Sequence, residues 1–171
     1  MSTVQLKEKQ DIQIKNQNNT SPVNIDTEKL PIREMNTLLA DLHLHYQALR
    51  NFHWNVQGEQ FFTLHNVFED HYNAIKVQID ELAERIKMLG FQPIAKYRTM
   101  LDESRLVEPE VPESSRDMVA FLALNLRTLQ GFFEGAIQEA SKANDSVSED
   151  LLISIKSVLD KQEWMLTSWL K

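Results

Sequence analysis

Two pairs of potential metal ligands occur at helical spacing within one stretch of the chain. His65 and Glu69 are four residues apart, and so are Asp80 and Glu84. Residues four apart are neighbours on the surface of an α-helix, and imidazole and carboxylate groups are common ligands of iron, manganese and zinc. Each pair therefore predicts part of a metal site, although the same residue types also occur on ordinary solvated helix faces.

The apolar residues around these pairs follow steps of three and four, which is typical of an amphipathic helix. They are Leu64, Phe68, Tyr72, Ile75, Ile79, Leu82, Ile86 and Leu89. On such a helix His65 and Asp80 lie about 22 Å apart along the axis, so one chain cannot close both pairs around one metal. A two-fold axis that runs two copies of the helix antiparallel would bring the first pair of one chain to the second pair of the other. The spacing therefore predicts a metal site shared by two subunits of an isologous dimer.

The composition limits the chemistry of the site and the class of protein. The chain has 171 residues, enough for one domain with a real core, and its 4 glycines and 5 prolines leave room for long helices. It has no cysteine, so a metal must be held by nitrogen and oxygen, which suits iron, manganese or zinc. The formal net charge of −7 argues against bulk attraction to nucleic acid.

The chain divides into a polar arm and a helical domain. Residues 1–25 are rich in Asn and Gln and nearly neutral, which predicts a flexible arm, whereas residues 26–171 are expected to form the domain. No apolar run reaches the about 18 residues of a membrane span. The N-terminus also lacks the apolar segment of a signal peptide. We therefore expect a cytoplasmic protein.

Four amphipathic segments predict four long helices. The expected ranges are about Pro31 to Asn55, about Glu59 to Leu89, the Ser114 cap to about Ala143, and Ser146 or Ser148 onward. Prolines bracket a long crossover between the second and third helices, with a short helix at about 98–105. Two short connections and one long crossover are typical of a ferritin-like four-helix bundle.

The histidines argue against a metal site inside the bundle. Ferritin-like di-iron proteins carry Glu-x-x-His on two helices that face the interior, but none of the five histidines here has a glutamate three residues before it. The site is therefore expected on the outside of the bundle or between chains. We expect His43 and His45 to be packing or interface residues, and His71 to lie at the surface or in an interface.

The run from His53 to Ile86 is similar to the signature of the Dps family, the miniferritins named for DNA protection during starvation. The run reads HWNVQGEQFFTLHNVFEDHYNAIKVQIDELAERI. The likeness is carried by His-Trp-Asn, a glycine, Phe and Leu-His, an acidic residue four positions later, and Asp-x-x-x-Glu-Arg. The resemblance extends over about residues 31–171 and leaves out only the N-terminal arm.

This resemblance implies a homododecamer with ferroxidase centres at its two-fold interfaces. By position, it implies that His53, His65 and Glu69 of one subunit bind iron together with Asp80 and Glu84 of its mate. Some family members have Asp at the position of Glu69, and the ligand type is kept because both residues supply a carboxylate. Two irons would occupy each site, and zinc or manganese could use the same ligands. The implied reaction oxidises Fe(II), preferentially with hydrogen peroxide or else with oxygen, and stores the ferric mineral.

Further residues are candidates for supporting roles. Trp54 lies beside a ligand and is a candidate sink for stray oxidising equivalents, although it is equally suited to filling an apolar interface. The resemblance places acidic pores near the start of the fourth helix, where Asp145, Glu149 and Asp150 cluster. Acids at this place also complement the helix dipole. Asp70 is a candidate for mineral nucleation in the cavity.

Two other functions fit part of the sequence. One is a DNA-binding and compaction protein of the nucleoid with only incidental iron binding. Twelve chains of charge −7 and a nearly neutral arm argue against direct binding, but leave binding through bridging cations open. The other is an inactive helical scaffold whose surface resembles a ligand set. Measuring Fe(II) oxidation by variants that lack a predicted ligand distinguishes an inactive scaffold from a ferroxidase.

Overall fold

The computed structural model describes residues 30–171, which form four long helices and a short one. They are α1 (Leu30–Asn55), α2 (Phe61–Met88), α3 (Tyr97–Glu103), α4 (Ser115–Lys142) and α5 (Ser146–Leu170). No strand occurs in this part of the chain, and none of its helices is long and apolar enough to cross a membrane. The predicted flexible arm at residues 1–25 lies outside the described residues. The predicted four-helix bundle with a short helix in its long crossover is confirmed.

The helix boundaries follow from turn and capping residues. Gly58 and Gly90 have φ values of 89° and 86°, a left-handed conformation that glycine adopts without strain. They lie in the turn between α1 and α2 and just after α2. The Ser114 side chain accepts a hydrogen bond from the backbone N–H of Asp117, which is the cap predicted for α4. Asp145 caps α5 in the same way, so that helix begins at Ser146.

The apolar stripes of the four long helices meet in one core. α1 packs on α2 and α4 packs on α5, and further contacts join α1 to α4 and α2 to α5. Five of the eight predicted stripe residues of α2 are buried and the other three lie at the edge of the core. Burying each large apolar side chain stabilises the fold by about 1.5–3 kcal/mol. The rotation of α2 is thereby fixed, and its polar face is left outside the bundle.

Ring contacts fix the register of α1 against α2. The rings of His53 and His65 stack with their centroids 3.7 Å apart, and those of Tyr46 and Tyr72 meet edge to face at 5.9 Å. Tyr46 is seven residues before His53 in α1, whereas Tyr72 is seven residues after His65 in α2. The two helices run antiparallel, and the end of α1 lies against the start of α2.

The crossover is fastened to α1 through a buried carboxylate. Asp41 is fully buried, and its oxygens accept hydrogen bonds from the Ser104 hydroxyl at 2.8 Å and the Arg105 backbone N–H at 2.6 Å. The Arg105 guanidinium adds two more, at 2.7 and 3.0 Å. It also reaches Glu34 at 2.6 Å. These contacts hold the segment after α3 in one path along the bundle.

We expect Asp41→Ala to lower the free energy of unfolding by about 3 kcal/mol, because it leaves the donors of Ser104 and Arg105 without their acceptor. Urea unfolding followed by circular dichroism measures the change. Glu34→Ala is the matched control, since it removes a partly exposed partner of the same arginine and should cost at most about 1 kcal/mol. Equal losses in the two variants would show that the buried carboxylate is not what holds the crossover.

Candidate metal centre

Three of the predicted ligands converge where α1 ends and α2 begins. His53, His65 and Glu69 each offer a ligand atom, and these atoms all lie within 4.8 Å of one another. His53 is buried, whereas the other two are partly exposed. Among residues 30–171 this is the one cluster of three His, Cys, Asp or Glu side chains close enough to hold a metal ion. We call it the three-ligand group.

Each histidine of the group is oriented by the backbone of the other. Nδ1 of His53 donates to the carbonyl oxygen of His65 at 2.8 Å, and Nδ1 of His65 donates to the carbonyl oxygen of His53 at 2.9 Å. Because a carbonyl oxygen only accepts, each Nδ1 carries a proton, and each Nε2 of the neutral ring keeps its lone pair. Hydrogen bonds of this kind orient metal-binding histidines. The donor set therefore fits a metal such as iron.

The ends of the helices explain why these bonds form. The carbonyl oxygen of His53 is among the last four of α1, which have no partner within their own helix. The His65 ring supplies that partner, so the same hydrogen bond caps the end of α1 and orients the imidazole of His65. The turn around Gly58 is short enough to bring the two helix ends together. The site is thus positioned by the α1–α2 connection itself.

Tyr72 lies against the third ligand. Its ring meets the His53 ring edge to face, with centroids 5.4 Å apart, and its hydroxyl lies near enough to the Glu69 carboxylate for the carboxylate to raise the pKa of Tyr72. Burial and, next, this carboxylate raise the pKa of Tyr72, so the hydroxyl keeps its proton and is a donor that Glu69 can accept from. The apolar periodicity of α2 predicted Tyr72 only as a stripe residue. Its position three residues after Glu69 was the available signal.

Asp80 and Glu84 do not join the three-ligand group within one chain. Both are exposed on the outer face of α2. At about 1.5 Å per residue, Asp80 lies about 16 Å beyond Glu69 along the helix axis. We call Asp80 and Glu84 the carboxylate pair. Within one chain the carboxylate pair on α2 is therefore separate from the three-ligand group at the α1–α2 connection.

Comparisons with known proteins place the chain in a family. The model of the ferritin-like domain matches residues 32–171. A DNA protection during starvation protein of Brevibacillus brevis is 37% identical over 80% of this chain and 92% of its own length. The corresponding values for DNA protection during starvation protein 2 of Bacillus anthracis are 34%, 83% and 97%. The chain belongs to the Dps family. The resemblance seen in its sequence is therefore confirmed.

Solved Dps structures share the fold of this chain. Dps from Staphylococcus aureus has a TM-score of 0.81 and 36% identity, and the match covers 84% of this chain and 97% of that one. The Dps protein from Vibrio cholerae, described as a member of the ferritin-like diiron-carboxylate superfamily, has a TM-score of 0.81 and 30% identity. That match covers 89% of this chain and 97% of the other.

Trp54 of this Dps-family chain is not part of its own core. Its side chain is 57% exposed, and the Arg50 guanidinium lies 4.7 Å from its ring centroid. The same guanidinium lies 5.4 Å from the ring centroid of Tyr46. A cation over an aromatic face is a weak attraction at an exposed site. The roles of Trp54 as an interface residue or a sink for oxidising equivalents remain predictions.

The acidic residues at the start of α5 are not equivalent. Oδ1 of Asp145 accepts hydrogen bonds from Arg85 at 2.7 Å and from the backbone N–H of Ser148 at 3.1 Å, and Oδ2 accepts one from the Ser148 hydroxyl. Burial raises the pKa of Asp145, but the Ser148 hydrogen bonds and the Arg85 charge outweigh it and lower the pKa overall. Asp145 therefore serves as a helix cap and ion-pair partner. Pore roles for it and for Glu149 and Asp150 remain predictions.

The position of one histidine outside the three-ligand group differs from the prediction. His71 is only 4% exposed within the single chain, so the expectation that it lies at the surface or in an interface is wrong. The core face of α2 passes through Phe68, His71 and Ile75, whereas the apolar pattern favoured Tyr72 at that turn. His45 is fully buried, as expected of a packing residue. Asp70 is exposed on α2, and its role in nucleation stays a prediction.

Proposed function

We propose that the protein is a ferroxidase and iron-storage cage, in which Fe(II) is the substrate. The three-ligand group carries this proposal, because two imidazoles with free Nε2 atoms and a carboxylate lie within 4.8 Å of one another. Mixed nitrogen and oxygen ligands suit iron, and zinc or manganese would compete for them. The description of the Vibrio cholerae relative as a diiron-carboxylate protein supports the same chemistry.

Each centre is proposed to be completed by a second subunit. The carboxylate pair is exposed about 16 Å along α2 from Glu69, so it reaches a three-ligand group only on another copy of the chain. A two-fold axis across antiparallel α2 helices supplies that copy and makes two equivalent centres. We propose that such dimers assemble into a homododecamer, in whose cavity the ferric mineral is stored.

The proposed reaction transfers two electrons to one peroxide. Two Fe(II) ions, one hydrogen peroxide and two protons give two Fe(III) ions and two waters, so no hydroxyl radical is released. The negatively charged carboxylates stabilise Fe(III) more than Fe(II), which favours oxidation. Oxygen is the slower alternative oxidant. Removing ferrous iron and peroxide protects DNA without contact, and a chain of charge −7 does not attract a polyanion by itself. We place the protein in the cytoplasm.

Anaerobic titration of the size-fractionated protein with Fe(II), followed by peroxide, tests the proposal. We expect a dodecamer-sized particle that binds about two Fe(II) per intersubunit centre. It should consume about one peroxide for every two irons, and oxidise them faster than with oxygen. Consumption of one peroxide per iron, with hydroxyl radical trapped by a spin probe, would contradict the paired reaction. A monomer that oxidises iron at full rate would contradict the shared site.

Tyr72→Phe is expected to weaken Fe(II) binding about 10-fold. The change removes the hydroxyl that can donate to Glu69 and keeps the ring that packs on His53. Anaerobic calorimetry of the assembled protein measures the affinity. Tyr46→Phe is the matched control, because the Tyr46 ring meets the Tyr72 ring and Tyr46 is not among the three ligands. Its affinity should not change, and an equal loss there would trace the effect to packing of the aromatic rings.

A further inference from the structure

Two histidines and a glutamine lie in the bundle core with most of their polar atoms unpartnered. His45 of α1, His71 of α2 and Gln162 of α5 are 0%, 4% and 4% exposed. Both ring nitrogens of each histidine and Oε1 of Gln162 find no hydrogen-bond partner among residues 30–171. We call these three residues the inner polar cluster. The proposed ferroxidase chemistry makes no use of them.

Two observations place the cluster at one level of the bundle. Tyr46 contacts Tyr72 across the antiparallel helices, and His45 and His71 are the residues just before them. That register puts the two histidines within about 3 Å of the same height along the bundle axis. Gln162 is joined to this level because its Nε2 donates to the backbone carbonyl of His71 at 3.2 Å. The three residues therefore lie at one level of the core, on three different helices.

The levels on either side of the cluster are apolar. One turn away along α1 and α2 in each direction, the core positions are Leu42, Leu49, Phe68 and Ile75, all fully buried. Apart from Asp41, which is bound by Arg105, no carboxylate is buried in the described part of the chain. Five unpartnered polar atoms in such surroundings would cost a free energy comparable with the whole stability of an ordinary domain. The cluster therefore requires a partner.

The protonation of the rings indicates what kind of partner fits. Burial lowers the pKa of His45 to about 3. Neither ring has a hydrogen-bonded carboxylate that would stabilise an imidazolium in the apolar core, so both rings are taken up in the core as neutral imidazoles. Each neutral ring has one N–H donor and one nitrogen acceptor. Together with Oε1 of Gln162, the cluster presents two donors and three acceptors. Its partner must both accept and donate hydrogen bonds.

A metal ion does not meet this requirement. It would engage only the lone pairs, leave both N–H groups without acceptors and add positive charge to an apolar layer without a carboxylate. The three-ligand group shows the contrast, since there each spare N–H is held by a backbone carbonyl. Water donates two hydrogen bonds and accepts two, and buried waters typically make about three bonds to otherwise unpartnered groups.

We propose that His45, His71 and Gln162 form an internal water site in the bundle core. The bound water accepts an imidazole N–H from one ring and donates to a nitrogen of the other ring and to Oε1 of Gln162, which gives a partner to three of the five atoms. It links α1, α2 and α5 through a single uncharged molecule. The site is separate from the metal centre, and it takes water-sized neutral molecules that both donate and accept hydrogen bonds.

A crystal structure of the assembled protein at better than about 1.5 Å, soaked with Zn²⁺, tests the site. We expect a peak at hydrogen-bonding distance, about 2.7–3.1 Å, from a ring nitrogen and from Oε1 of Gln162. It should give no anomalous signal at the zinc edge, whereas the three-ligand group should give one. No density between the side chains, or an anomalous peak about 2.0–2.1 Å from the ring nitrogens, would overturn the proposal.

Calorimetry in solution gives a second test that does not depend on enzyme activity. The double variant His53→Ala, His65→Ala removes the ligand imidazoles of the metal centre and leaves the inner polar cluster intact. We expect the variant to retain no tight Zn²⁺ site. One retained tight site per subunit that disappears when His45→Leu is added would assign the cluster to a metal and overturn the water site.

Discussion

Mixing two inactive variants is expected to restore iron oxidation. Assemblies made only of His65→Ala subunits, or only of Asp80→Ala subunits, should oxidise Fe(II) at least about 100-fold more slowly than the wild type. When equal amounts of the two are unfolded together and reassembled, the mixture should recover about a quarter of the wild-type rate. Stopped-flow absorbance of Fe(III) formation after peroxide addition measures both results.

The recovery follows from the two-fold symmetry of the proposed dimer. A mixed dimer has one centre with both changes and one centre with neither, because His65 and Asp80 of the same chain belong to different centres. Random pairing makes about half of the dimers mixed, so about a quarter of all centres are intact. The expected rate is therefore proportional to the fraction of centres in which neither residue is changed.

A second mixture provides the matched control. His65 and Glu69 belong to the same three-ligand group, so His65→Ala and Glu69→Ala subunits leave every centre of a mixed dimer damaged. This mixture should stay inactive. If it recovered as much as the first mixture, subunit exchange alone would explain the effect, and the assignment of Asp80 to the partner subunit would fail. Full activity of Asp80→Ala by itself would remove Asp80 from the centre.

Acid is expected to destabilise the bundle through His45. Burial lowers the pKa of His45 to about 3, whereas the unfolded chain titrates near the ordinary value of about 6.5. Below about pH 6.5 the unfolded chain therefore binds a proton that the folded chain does not. The free energy of unfolding should fall by roughly 1.4 kcal/mol for each pH unit on this account, down to about pH 3, and the stabilisation is fully present above about pH 6.5.

Comparison with His45→Leu isolates this contribution. Urea unfolding of both proteins from pH 4 to 8, at matched assembly state, gives the free energies to be compared. Carboxylate protonation affects both proteins equally and cancels in the difference, so the variant should show the shallower loss below about pH 6.5. Parallel curves would mean that His45 either takes up its proton within the folded bundle or becomes accessible to water before unfolding.

The helices were predictable because local rules decide where they begin and end. Ser114 caps α4 through the predicted bond to Asp117, and Gly58 and Gly90 end the two preceding segments in the left-handed conformation. The start of α5 stayed ambiguous between Ser146 and Ser148, because the capping side chain belongs to Asp145. The sequence offered that carboxylate both as a pore residue and as a complement to the helix dipole, and the structure shows it bonded to the backbone at the start of the helix.

The details of the site depend on packing between helices, which periodicity does not supply. The helical repeat allows either His71 or Tyr72 to face the core, and the more apolar side chain of Tyr72 made it the predicted core residue. The rotation of α2 against α1 and α5 decides for the histidine, whose carbonyl receives Gln162 from α5. The reciprocal bonds of His53 and His65 likewise require two helix ends to meet in space. No pattern within either helix contains that information.

The two hydrogen bonds between His53 and His65 also affect which substitutions the centre tolerates during evolution. The acceptors that aim the two rings are peptide carbonyls, which every amino acid provides, so no neighbouring side chain has to be preserved for this purpose. Neighbouring side chains can therefore change without disturbing the two rings, provided that the connection between α1 and α2 keeps its conformation. For the orientation of these two rings, selection needs to preserve only the histidines and the bend between the helices.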